Sequence, residues 1–210
     1  MSFSLQEFVR LRPFVYHLTH SANVEGIRER KRLFSAATLM RMAGASALRR
    51  EYRRGERIVL VDGEEIHIRD QDPLKQGNMR LDAKWKFADF IEHLNAHVFF
   101  WPGWKDKPVP SGIHHYTRYA NDHPSLLRIP TVDLFAINEP ALAFFCKYNS
   151  GAPRCTQGNP SPRLLDVFAL SESVPYRPTN VVEVTFRDSA VLPDSTEIGK
   201  SPSGRWRSLW

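Results

Sequence analysis

Phe14-Val15-Tyr16-His17-Leu18-Thr19-His20-Ser21-Ala22-Asn23-Val24-Glu25-Gly26-Ile27 is the stretch on which the reading of this chain turns. Its first five residues form the short apolar and aromatic run of a buried strand. Thr19-His20-Ser21 then supplies N-cap chemistry for a helix predicted over 22–30. A histidine therefore sits inside the first strand. An imidazole in that setting is either a hydrogen-bonded core residue or a group kept for chemistry, and the rest of the chain has to decide which.

Working outward, Ser35 can cap a second helix predicted to run to about Arg54, with Ala37, Met40, Ala43 and Ala47 on one side. Arg49, Arg50, Arg53 and Arg54 crowd its end, where cations suit the helix dipole. Residues 57–61 and 64–69 read as a β-hairpin, because Asp62-Gly63 tolerates the positive φ angles of a tight turn. A helix over about 82–94 leads into an aromatic strand over 97–101 that Pro102-Gly103 should stop. Further on, 113–121 reads as a short helix and 131–137 as a strand. The Gly-, Pro-, Ser- and Asn-rich stretch 149–163 reads as an exposed loop, 167–170 as a strand, and 181–186 as the cleanest late strand. The tail from 197 shows little periodicity and is expected to be partly flexible, with Trp206 and Trp210 as anchors. Short strands interleaved with a few helices predict a single α+β domain over 1–210 and not a regular βαβ series. Neither a GxGxxG nor a GxxxxGK[ST] pattern is present, so any nucleotide site must be built differently.

Composition sets the outer bounds. With 42% hydrophobic and 25% charged residues the chain matches an ordinary globular domain. It has no apolar stretch of the roughly 18 to 20 residues a membrane helix needs and no signal-peptide h-region, so a cytoplasmic protein without membrane contact is expected. Cys146 and Cys155 suit neither a metal knuckle nor a disulfide scaffold and read as reduced. Among eight histidines the closest group, His114, His115 and His123, lacks ligand spacing, and no metal is expected. The net charge is +6, and residues 25–57 hold ten basic against four acidic side chains, so the remainder is close to neutral. That segment is either a surface for nucleic-acid phosphates or a solvated helix face.

Glu183 is the second anomaly. It lies among Val181, Val182, Val184 and Phe186, although carboxylates are seldom buried unless paired or functional. Strand alternation leaves the option that it faces solvent with Thr185 or Arg187.

Order and context link the two anomalies. Tyr16-His17-Leu18-Thr19-His20 followed by Asn23-Val24-Glu25-Gly26-Ile27 resembles the opening motif of the DarT-like ADP-ribosyltransferases, a strand ending in Tyr-His-x-Thr-His before an Asn-apolar-x-x-Ile helix. The strand 97–101 stands where that family has a Phe- and Tyr-rich strand, and Glu183-Val184 where it keeps its catalytic glutamate. The resemblance implies the split-sheet fold of the diphtheria-toxin-like transferases, with NAD as co-substrate in a cleft between two small antiparallel sheets. It implies Glu183 as the carboxylate that stabilises the cationic sugar, and His17 as a ribose contact with Thr19 and Asn23 nearby. Phe100 and Trp101 would wall the nicotinamide. A pyrophosphate-binding arginine is also implied. Arg69 is the first candidate, with Arg49 and Arg80 behind it, and a surface ion pair of Arg69 with Asp70 or Asp72 is the alternative. The family modifies nucleic-acid bases, commonly as toxins held by an antitoxin. It thereby implies a DNA or RNA acceptor, contacted by Arg49, Arg50, Arg53 and Arg54, and a cognate antitoxin. A protein acceptor, simple NAD hydrolysis and a non-catalytic nucleic-acid-binding module are the other readings.

Overall fold

In the computed structural model, which describes residues 3–104, 107–164 and 167–210, the opening stretch forms β1 (Phe14–His20), longer than predicted. One turn of 3-10 helix follows over Ser21–Asn23, capped by His20, whose Nδ1 accepts the Ala22 N–H at 3.1 Å. The described helices are α1 (Leu5–Leu11), α2 (Val24–Arg30), α3 (Ala36–Met42), α4 (Phe87–Asn95), α5 (Pro110–Arg118) and α6 (Thr131–Ile137). The strands after β1 are β2 (Arg32–Phe34), β3 (Arg57–Val61), β4 (Glu64–Ile68), β5 (Met79–Leu81), β6 (His97–Trp104), β7 (Lys107–Pro108), β8 (Pro124–Pro130) and β9 (Phe144–Cys146). The chain closes with β10 (Cys155–Thr156), β11 (Asn159–Arg163), β12 (Ala169–Leu170), β13 (Glu183–Arg187), β14 (Ser189–Val191), β15 (Glu197–Gly199) and β16 (Arg207–Ser208).

The architecture is α+β, built on one antiparallel sheet in the order β12-β9-β13-β6-β1-β8-β15-β16, with β7 attached to β6. Its seam is unusual. β1 and β8 pair over seven residues, yet β1 meets β6 at only two rungs, Val15 with Pro102 and Tyr16 with Trp101, after which the strands part.

Side chains alternate across a sheet, and here the two faces differ. One carries a continuous core that crosses the seam, with Val15, Phe100, Leu127, Ile129, Val184 and Phe186 under Phe8 of α1 and Leu134 and Phe135 of α6. The other carries two separate clusters: Phe99 and Cys146 with Phe90, Ile91 and Leu94 of α4, and Tyr16, Leu18 and Trp101 with Tyr119 and Leu126.

Beside the seam stands the β3–β4 hairpin, a two-stranded sheet of its own. Asp62 at φ 52° and Gly63 at φ 86° make the expected turn with two left-handed residues. Asn23 ties the hairpin to β1. Its Nδ2 donates to the His67 carbonyl at 2.9 Å and to Thr19 Oγ1 at 3.1 Å, and its Oδ1 accepts the His67 N–H at 2.8 Å.

Several expectations are corrected. Residues 131–137 are a helix, because Thr131, Leu134 and Phe135 are buried at helical spacing while Val132 and Ile137 are exposed. The strand lies one segment earlier, in β8. The helix begun by Ser35 ends at Met42, since Gly44 turns the chain at φ 69°, and only a 3-10 turn over Ser46–Arg50 continues it. Ala47 is consequently exposed. α4 begins at Phe87 and not near residue 82.

Pro102 does not stop β6. Its carbonyl accepts the Val109 N–H at 3.0 Å, and a strand residue's N and C=O point to the same side, so the missing N–H faces away from β1. The stretch 149–163 is not simply an exposed loop: it holds β10 and β11 and buries Ser150 and Arg163 completely. The tail is ordered as β15 and β16. Trp206 packs against Tyr16 with its ring under Arg128, and Trp210 donates to the Pro193 carbonyl. No described helix is long and apolar enough to cross a membrane.

Candidate active site

Where β1 and β6 part, a side chain takes the place of the missing rung. His17 Nδ1 lies 2.9 Å from the Phe99 carbonyl oxygen. A carbonyl only accepts, so Nδ1 carries the hydrogen and Nε2 is left with its lone pair. Burial, with Arg69 nearby, pushes the imidazole pKa down to about 4 against the help of that hydrogen bond, so His17 is neutral near pH 7.

On the far flank of β6, Glu183 opens β13, whose ladder with β6 runs from Val184–Phe100 to Arg187–His97. It is 2% exposed and Thr185 is fully buried, so the solvent-facing option fails for both; Arg187 alone of that set is exposed. Ser150 donates its N–H at 3.1 Å and its hydroxyl at 2.6 Å to the same oxygen, Glu183 Oε2. Burial pushes the carboxyl pKa up to about 7, opposed by those two bonds and by the Arg163 charge. One strand separates β1 from β13, so at the last paired rung, Tyr16 with Trp101, their backbones are about 10 Å apart.

His17 and Glu183 line the same cleft, of about 280 Å³. Thr19 and Asn23 line it too, but the Asn23 amide is fully engaged in holding the hairpin, with Thr19 Oγ1 among its partners. From β6 the aromatic wall is Phe99 and Trp101, whereas Phe100 points to the opposite core and packs edge-on against Phe186. The expected pair Phe100 and Trp101 is therefore split: Trp101 lines the cleft, and alternation turns Phe100 into the opposite core. His115 and Tyr119 complete this wall; the His115 ring lies 4.6 Å from Trp101, and burial pushes its pKa down to about 3.

Arg69 also lines the cleft. Nη2 donates to the Thr19 carbonyl at 3.1 Å, and the guanidinium lies 4.6 Å above the Tyr119 ring. The surface ion pair with Asp70 or Asp72 is not formed. Asp70 accepts the Tyr119 hydroxyl at 2.9 Å, and Asp72 pairs with Lys75 and Arg118. Arg69 Nε is buried with no hydrogen-bond partner among the described residues, and Asp122, Glu56 and Asp70 offset the burial of its charge without an ion pair. Arg80 is exposed and Arg49 pairs with Glu92, and neither lines the cleft.

Of the four arginines expected to contact nucleic acid, Arg53 is not available at the surface. Arg49 and Arg50 are bound to the α4 acids Glu92 and Asp89, and Arg53 is buried, donating to the Arg69 carbonyl and to Asn95 Oδ1. Arg54 alone of the four is exposed without an ion pair among the described residues.

Another group was not foreseen. His20, His67 and Glu56 bring ligand-type atoms within 4.8 Å of one another. The two rings stack at 4.1 Å and 8°, however, and an imidazole lone pair lies in its ring plane, so both cannot address one ion as they stand. The His20 Nδ1 lone pair is already taken by Ala22. Cys146 and Cys155 form no disulfide, and burial beside Glu183 pushes the Cys146 thiol pKa up.

Sheet and cleft together define an α+β protein whose antiparallel sheet parts to hold a neutral histidine on one bank and a buried carboxylate on the other. The chain belongs to the family of unknown function DUF7002, whose model matches residues 13–196. That span starts just before β1 and includes His17, Arg69, Ser150 and Glu183. No curated protein and no solved structure matches the chain.

Proposed function

We propose that this protein cleaves NAD and transfers its ADP-ribose, as the resemblance to the DarT-like transferases implies. The observation that carries the reading is the convergence of His17 and Glu183 on one cleft at the parting of β1 and β6. That parting supports the split-sheet fold of the diphtheria-toxin-like transferases.

The chemistry suits the residues. The bond between nicotinamide nitrogen and ribose C1′ breaks, its electron pair neutralises the pyridinium, and positive charge builds on the sugar until the acceptor bonds to C1′ and releases a proton. A fixed carboxylate beside that carbon stabilises the charge, and Glu183 fills the role once ionised, above about pH 7. His17 Nε2 accepts from a ribose hydroxyl. Phe99 and Trp101 border the nicotinamide, and the unpartnered Arg69 Nε addresses a phosphate oxygen. The cavity, about 280 Å³, falls just below the usual range for ligand sites, about 300–1,000 Å³. A cavity of this size suits the nicotinamide half better than the whole dinucleotide.

Nucleic acid is the acceptor in this proposal, and an antitoxin the partner, on the strength of the resemblance. The ion pairing of Arg49 and Arg50 favours a second reading, in which water or a protein takes the ADP-ribose. Incubation with NAD and an oligonucleotide is expected to release nicotinamide and add ADP-ribose mass to the strand, with Glu183→Gln lowering turnover by about 10²–10³-fold while folded. Nicotinamide release without oligonucleotide modification would select the second reading. No release under any acceptor condition would end the proposal.

A further inference from the structure

The Glu183 carboxylate is gripped from a segment whose sequence gives no sign of a role. We propose that Ser150, fixed in turn by Arg163, is the positioning residue that presents Glu183 to the reacting sugar by holding one carboxylate oxygen and leaving the other to the substrate. The inference rests on the NAD-cleaving reading above.

Both Ser150 donors go to Oε2, and no described residue donates to Oε1. Two bonds arriving from different directions fix the plane of a carboxylate, whereas one would let it swing. Ser150 lies in a loop, outside any helix or strand, and needs its own support. Arg163, at the end of β11, supplies it. Its Nη2 donates to the Asn149 carbonyl at 2.9 Å and its Nε to the Ser150 carbonyl at 3.4 Å. Its Nη1 donates to Ser161 Oγ and to the Pro162 carbonyl, and its guanidinium lies 4.9 Å above the Tyr148 ring.

Arg163 is 1% exposed, and no described carboxylate lies within ion-pair distance of it. Its charge reaches Glu183 through the interior instead, and favours the ionised form. The remaining neighbour is Cys146, opposite Glu183 in the β9 register, whose thiol stays protonated. Ser150 therefore has two effects, orientation and retention of charge. Removing its hydroxyl takes a donor from the ionised carboxylate, so Glu183 binds its proton more tightly and activity disappears at a higher pH as the solution is acidified.

The test combines kinetics with a direct titration. Nicotinamide release is measured against pH for wild type, Ser150→Ala and Ser150→Thr, and the Glu183 carboxyl carbon is titrated by NMR in each free protein, after thermal unfolding has shown the variants to be folded. For Ser150→Ala the expected result is a kcat about tenfold lower at pH 7, KM within about twofold, and an acid limb and carboxyl titration both moved up by about half a pH unit or more. Ser150→Thr, which keeps the hydroxyl, is expected near wild type. A fall in kcat with limb and carboxyl titration unmoved would reduce Ser150 to a structural residue and overturn the inference, as would unchanged kinetics. If wild type releases no nicotinamide, the NAD reading fails by itself, and the carboxyl titration still decides whether Ser150 governs Glu183.

Discussion

Glu183 holds its charge at some cost, and the sign of that cost can be worked out. Its pKa is raised from 4.5 to about 7 by burial. The folded protein thus favours the protonated form, and stability that is complete below about pH 4.5 is lost as pH rises through 7. Replacing Glu183 by Gln removes a charge that costs on the order of 3 kcal/mol at pH 8. Glu183→Gln is accordingly expected to melt several degrees above wild type at pH 8, with the difference closing near pH 4.5. Calorimetry at the two pH values checks it, and an equal or lower melting point at pH 8 would contradict the burial argument. Glu183 and His17 are legible in the sequence because each interrupts an apolar strand. Ser150 and Arg163, which hold Glu183, are not: they sit in a Gly- and Pro-rich stretch where neither a helical nor a strand period assigns a face.

Among the elements, the hairpin and the seam carry the site. The turn at Asp62-Gly63 and the β1 strand are readable from local chemistry, since a turn needing two left-handed residues and a short aromatic run leave few alternatives. α6 is misread because Thr131-Val132-Asp133-Leu134-Phe135 mixes β-branched and aromatic residues, and its helical period emerges only once the sheet is there to bury one side. The separation of β1 from β6 is invisible in sequence, because pairing is a property of two strands. Asn23 gives this scale a prediction. Its amide satisfies both the N–H and the carbonyl of His67, so Asn23→Ala leaves two backbone groups of β4 without partners and is expected to cost about 2 kcal/mol. Hydrogen exchange is expected to quicken over 57–68 while β8 stays protected. Equal quickening in both would show that the hairpin is not held separately.

Across the whole molecule, four histidines are kept neutral by burial: His17, His93 and His97 with pKa values near 4 and His115 near 3. The unfolded chain binds their protons from about pH 6.5 downward, so stability is lost as pH falls through that window. Glu183 works in the opposite sense, and one group against four does not reverse it. The expected net result is a loss of stability on acidification, read as a urea midpoint that falls between pH 7 and pH 5.5. A midpoint that holds or rises would mean that these imidazoles are more hydrated than their burial indicates.

The seam has one more consequence. On one face the sheet is parted and on the other the core from Val15 to Phe186 runs across unbroken, reaching the cleft through Ile27, Leu33 and Val98. The arrangement is that of an open book with a bound spine. How far apart the pages stand, and with them His17 and Glu183, is set by the thickness of side chains such as Phe100 that no ligand would touch. Fine adjustment of the reaction is therefore available to residues on the back of the sheet, where a methyl group gained or lost acts as a shim.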